Sequence, residues 1–166
     1  MYPRKLSVQL AIGAVLLTAL CGCAFVQAAT NCTNASINAD KLVARLYKDD
    51  PGLIVNPVKI SHLPRYFDER LTSLLVKEHN APSDADTLPF DPMFDTNGGT
   101  AVKGFQVHQP AIHQKTATVV VEFTLLESQQ KKRIIFSLNK AAPGWRITDL
   151  STSDWDLVKV LTNLHG

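Results

Sequence analysis

Cysteine is scarce in this chain of 166 residues: there are three, Cys21, Cys23 and Cys32, all near the start. No cysteine follows Cys32, so a disulfide framework is excluded and the body of the chain must rest on its apolar core. Charge of one sign is also lacking. Lys and Arg number 17 against 15 Asp and Glu, and removing Arg4 and Lys5, which lie in a leader read below as cleaved, leaves 15 against 15. Without a basic field a nucleic-acid partner is excluded. The one basic run, Lys131-Lys132-Arg133, falls at a hairpin and reads as a solvated turn rather than a membrane-binding patch. There is no Gly-x-Ser-x-Gly, no phosphate loop and no Cys–His pairing beyond the leader. The sequence therefore offers no nucleophile, metal or cofactor motif, and it reads as a non-enzymatic protein with no cofactor. Repeats and low-complexity stretches are absent too. What remains is ordinary globular composition, 45% hydrophobic and 19% charged, at a length suited to one domain.

The first residues read as an address. Arg4 and Lys5 precede an apolar stretch over 8–20, interrupted only by Gln9 and Thr18, which is too short for a stable membrane span. Two exits are legible. Leu20-Cys21-Gly22-Cys23 resembles the bacterial lipobox, which makes Cys23 the lipidated first residue, and Ala24 after it implies sorting to the outer membrane. Alternatively, ordinary signal peptidase cuts after Ala28 or Ala29. Both give an exported, periplasmic protein, with a signal peptide over 1–29, a polar leader over 30–37 and a single domain over 38–166. Cys32 lies in the polar leader and is expected to be exposed. Any membrane contact is expected through the lipid anchor alone.

The centre of that domain is Thr116-Ala117-Thr118-Val119-Val120-Val121-Glu122-Phe123-Thr124-Leu125-Leu126. Ala117, Val119, Val121, Phe123 and Leu125 form one apolar row in a period of two, the pattern of a central strand with one face buried. Ahead of it, 37–48 is an amphipathic helix with Ala39, Leu42, Val43, Leu46 and Tyr47 on one stripe, capped by Asn38 and ended by Asp50-Pro51-Gly52. A connector broken by Pro57 leads to a short turn over 63–67, and then to a helix capped by Asp68 with Leu71, Leu74 and Leu75 inward and Glu78 facing water. An irregular stretch, 84–99, carries Asp84, Asp86, Asp91 and Asp95 between apolar knobs Phe90, Met93 and Phe94. Four strands follow, over 101–109 with a bulge at Gly104, 116–126, 133–139 and 145–150, and a last helix starts near Ser153 and Asp156. Helices followed by a hairpin-connected meander make an α+β fold: N-terminal helices packed on a curved four-stranded antiparallel sheet, with a C-terminal helix, in the manner of a cone whose mouth can hold a ligand.

The residues Tyr66-Phe67, Leu71 and Leu74-Leu75, then Pro89-Phe90-Asp91-Pro92, Ala117-Thr118-Val119-Val120-Val121 and Gly144-Trp145-Arg146-Ile147-Thr148-Asp149 carry a resemblance. Over about 36–164 the chain resembles exported bacterial proteins and lipoproteins known as domain of unknown function 3828, within the nuclear-transport-factor-two-like or cystatin-like cones. Met93 departs from the aromatic expected after Asp91-Pro92. The resemblance implies fold and export and no catalytic residue.

Candidate chemistry is sparse. Strand parity sets Trp145, Ile147 and Asp149 on the inner face, where a carboxylate must find donors or shift its pKa. The alternative is that Asp149 turns outward and caps the next segment. A ligand in the cone would meet Tyr47, Phe136, Trp145 and Asp149, over a row roofed by the first helix. Asp84, Asp86, Asp91 and Asp95 form a candidate partner-binding surface, since their spacing fits turns better than a calcium loop. His108 and His113 flank Pro110 without a third ligand, and His62, His79 and His165 stand isolated, so no metal site is expected. The functional expectation is an exported envelope protein that binds a protein or small molecule in the periplasm. An immunity protein against a periplasm-acting toxin is the first alternative, and an isomerase- or hydratase-type enzyme with Asp149 as base is the second.

Overall fold

The computed structural model describes residues 38–82, 85–99 and 101–165. The expected signal peptide, lipobox, Cys23 and Cys32, and Asp84 lie outside the described residues. The architecture is α+β, as the hydrophobic periodicity requires. Helix α1 (Ala39–Asp49) buries Ala39, Leu42, Val43, Leu46 and Tyr47, the stripe its spacing dictates. Asn38 occupies the cap position but makes no side-chain bond there. A 3-10 turn over Pro57–His62 and the single turn α2 (Leu63–Tyr66) follow, and Asp68 caps α3 (Glu69–His79) by accepting Leu71 N–H at 2.8 Å.

Among the described residues the sheet holds five strands rather than four: β1 (Val102–Val107), β2 (Ala111–His113), β3 (Thr116–Leu125), β4 (Lys131–Ala141) and β5 (Gly144–Ser151). All pair antiparallel in the order β1-β3-β4-β5, and β2 lies beside β3 on the edge that β1 also uses. The additional strand continues β1 past Pro110 along the same edge of β3. Its three residues are all exposed, so no burial pattern announces it. Helix α4 (Leu157–His165) closes the chain, started by Asp156, whose carboxylate accepts Lys159 N–H at 2.9 Å. The cap is Asp156 itself, where the sequence suggested Ser153 paired with it.

The core lies on one face of the sheet. Val119, Val121, Ile134, Phe136, Ile147 and Leu150 are fully buried there beneath α1 and α2, with Leu63, Phe67, Leu71 and Leu75 supplied by the helices. Phe67 also bridges Ile147 in parallel, and Asp68 N–H donates to Ile147 O at 2.9 Å, so the helix junction covers the outer edge of β5. Two bulges shape this sheet. One falls between Lys103 and Gln106, where Gly104 takes a φ of +65°, the left-handed region glycine enters without strain. The other falls in β5: Ser137 pairs with Asp149 but Leu138 pairs with Ile147, so Thr148 is an extra residue.

Candidate functional site

The β5 bulge decides where Asp149 goes. Ser137 lies between the inward Phe136 and Leu138 and therefore faces out, and its partner Asp149 faces out with it. The inward role passes to Leu150, which is fully buried. Parity alone sets Asp149 inside; one inserted residue reverses that. The carboxylate instead accepts Leu150 N–H at 2.8 Å and Val158 N–H at 3.1 Å, so it caps the start of α4. Burial raises its pKa to about 6, opposed by the Val158 N–H and assisted by Asp156 beside it. The pair lines an open, polar groove of about 670 Å³ between the outer sheet face and α4, with Arg70, Ser137, Asn139, Thr148, Lys159 and Thr162 among its walls.

A second opening has the opposite chemistry. Tyr47 on α1 meets Phe105 of β1 at 4.9 Å between ring centroids, Phe94 of the loop at 5.7 Å and Phe136 of β4 at 5.8 Å, all edge-on. The Tyr47 hydroxyl donates to Met93 O at 2.6 Å, which ties the irregular loop to α1 and takes the phenol out of play. Burial, with the Asp91 charge adding to it, raises the Tyr47 pKa well above its ordinary value. Between α1 and β1 these rings leave a recess of about 390 Å³ lined by Ala44, Tyr47, Lys48, Pro51, Phe94, Val102 and Phe105. Phe105 is 39% exposed, an uncommon placement for an aromatic ring that already stacks on Phe123 at 6.3 Å.

Of the four residues expected to meet a ligand, the structure joins only Tyr47 and Phe136, and Phe136 is fully buried behind Tyr47. Trp145 is in the core, with Lys140 Nζ at 5.9 Å from its ring, and Asp149 is on the opposite face. The expected space over the inner row of β3, β4 and β5 is filled by core side chains, so the open site moves to the β1 edge. In the acidic loop, Asp86 is exposed. Asp91 accepts Met93 N–H at 2.9 Å, and burial raises its pKa. Asp95, at a φ of +51°, accepts from Lys132 Nζ and Trp155 Nε1, both at 2.7 Å. Asp95 thus holds the loop onto β4 and onto the segment that leads into α4, while the Asp91 carboxylate bonds within the loop.

Sequence reading missed the most heavily bonded acid. Asp50, taken as a helix stop, is 3% exposed and accepts from Tyr66 Oη at 2.9 Å and Lys59 Nζ at 3.2 Å, with His62 Nδ1 at 3.0 Å. Burial alone would raise its pKa, but the bonds from His62, Tyr66 and Lys59 outweigh it and hold the carboxyl below its ordinary value. Burial and the same carboxylate push Tyr66 up to about 12. Glu78, expected in water, is also buried, accepting Leu88 N–H at 2.7 Å and meeting His165 Nε2 at 2.6 Å. His62 and His165 are thus not isolated. Among the described residues His79 Nε2 is buried without a partner, and burial lowers its pKa. His108 stands 3.0 Å from Glu122. Among the described residues no group of three or more His, Cys, Asp or Glu is placed to hold a metal ion, and no helix is long and apolar enough to cross a membrane. The only signal for the Asp50 network was four polar residues within 17 positions, each explicable as turn or helix surface. No protein-family model matches the chain, and no curated protein matches it.

Proposed function

We propose that the protein is an exported, non-enzymatic binding protein of the cell envelope, and that the recess between α1 and β1 is its binding site. The observation that carries this reading is Phe105: a large ring kept 39% exposed beside Tyr47, Phe94 and Val102 in a concave apolar lining. Ligand sites are typically concave and apolar with few polar groups, and this recess has that character. Export rests on Arg4, Lys5 and the apolar stretch that follows. Mass spectrometry of the mature N-terminus tests that half: acylated Cys23 or a free Ala29 or Thr30 agrees, and an intact Met1 refutes it. For the binding half, a thermal-shift screen against apolar small molecules compares the wild-type protein with Phe105→Ser. A ligand present at about 100 times its Kd adds about 2.7 kcal/mol of stability. Hits that raise Tm in the wild type and not in the variant agree with the recess, and hits indifferent to the substitution place binding elsewhere.

A second reading is favoured by Asp149. A carboxyl with its pKa raised to about 6, beside Asp156 in an open groove, has the property a general acid or base needs. The substrate of such an isomerase- or hydratase-type enzyme would enter the polar groove. Replacing Asp149 by Asn then abolishes turnover while the far-UV spectrum stays unchanged; turnover that survives the replacement removes this reading.

A further inference from the structure

We infer that the recess between α1 and β1 takes a small amphipathic anion, with its apolar body against Phe94, Val102 and Phe105 and its carboxylate at Lys48. The inference rests on the binding reading above and names the ligand class. Among the described residues the floor offers no free side-chain hydrogen bond: the Tyr47 hydroxyl, its one polar side-chain group, is already committed to Met93 O at 2.6 Å. A ligand body bearing polar atoms would leave them unpaired there, so the body must be apolar. Among the described residues the sole charged one in the lining is Lys48, exposed in the last turn of α1.

Its ammonium is not neutralised from within. Of the two acids that follow it, Asp49 is engaged by Arg45 at 3.3 Å, and Asp50 is buried against Lys59, His62 and Tyr66. Among the described residues no carboxylate lies within 4.0 Å of Lys48. Lys41 stands one turn before Ala44 on the same helical stripe and adds charge of the same sign. At about 390 Å³ the recess is near the small end of ligand sites, suited to one short acyl chain or one ring system and too small for a two-chain lipid.

Isothermal titration of the full chain with decanoate and with decanol, both below their aggregation limits, tests the charge and the apolar body separately. The expected result is that decanoate binds more tightly than decanol, by about threefold, the scale of an exposed ion pair. Lys48→Gln should remove that difference and leave decanol binding unchanged. Phe105→Ser, at an exposed position, should weaken both ligands about tenfold or more with an unchanged circular dichroism spectrum. Equal affinity for the two ligands overturns the anion assignment and leaves the binding reading standing. No binding of either ligand to the folded wild type overturns both. Binding that survives Phe105→Ser, or a concentration-dependent dimer that this substitution dissolves, gives the recess a different role and overturns the inference.

Discussion

Replacing Asp149 by Asn should stabilise the protein at neutral pH. The side chain sits at the start of α4, where the helix dipole and two backbone N–H groups favour an anion. Burial and the neighbouring Asp156 oppose it, and they prevail: the pKa rises from 3.8 to about 6. Two units correspond to roughly 3 kcal/mol. Asp149 is half-buried, so solvent screening reduces this to about 1–2 kcal/mol. Asn keeps a carbonyl oxygen that can accept Leu150 N–H and Val158 N–H, so the cap survives while the charge is removed.

The sign follows from proton linkage. Below pH 3.8 the carboxyl is protonated in both states and contributes nothing. Between 3.8 and about 6 the unfolded chain releases the proton while the native state holds it, so the native state loses relative stability as pH rises. Above about 6 the penalty is constant. Urea unfolding at half-unit steps from pH 4 to 8 measures this through the midpoint, with the m-value unchanged. The variant should match the wild type near pH 4 and exceed it by about 1–2 kcal/mol at pH 7. A difference that stays flat over this range, or a variant that is less stable at pH 7, would show that the helix terminus outweighs burial and Asp156 at this site.

Two other acids give the contrasting result. Asp50→Asn removes the charge that Lys59 and His62 face, and should cost about 2–3 kcal/mol, below the usual loss for a buried pair because both partners reach water. Because the Asp50 pKa is lowered on folding, its contribution is present above the ordinary carboxylate range and is lost as pH falls through the lowered value. The wild-type advantage over Asp50→Asn in denaturant midpoint should therefore shrink on acidification, and an advantage that grows there refutes the assignment. Glu78→Ala strands Leu88 N–H and His165, and should cost about 2–3 kcal/mol. It should also speed amide exchange in α4, since His165 is that helix's last residue; α4 exchange that remains at wild-type rates contradicts the pairing.

The elements that periodicity defines are legible in the sequence. The stripe of α1, the cap at Asp68, the inner row of β3, the Gly104 bulge and the helix-then-meander order all follow from patterns a few residues long. What escapes is set at longer range. Asp50 and Tyr66 are 16 positions apart, and Glu78 and His165 are 87 apart, so no local pattern could pair them. Glu78 sits on the polar side of an otherwise ordinary amphipathic helix; only the arrival of the chain at Leu88 and of α4 makes it a buried acceptor. The recess is half legible. Tyr47 stands out on the stripe of α1, but nothing in the pattern over 101–109 marks Phe105, whose ring meets Tyr47 beside the bulge at Gly104.

The Thr148 bulge bears directly on the choice between binding and catalysis. With Asp149 inside the sheet, the cone would have held a desolvated carboxylate among Phe136 and Trp145, the arrangement a pocket base requires. The extra residue fills the inner position with Leu150 and commits Asp149 to α4, where one oxygen already accepts two N–H groups and Asp156 is bonded beside it. A general base needs a free lone pair aimed at substrate, and serving as a helix cap competes with that role. Asp50, Glu78 and Asp95 are likewise held by two or more donors or close partners within the chain. The recess presents the reverse case: although Phe94 and Phe105 also pack on Phe123, both Phe105 and Lys48 remain open to solvent. Side chains that keep a solvent-facing surface at a concave site are the ones available to a ligand, and here they are the open part of an aromatic ring and an ammonium group.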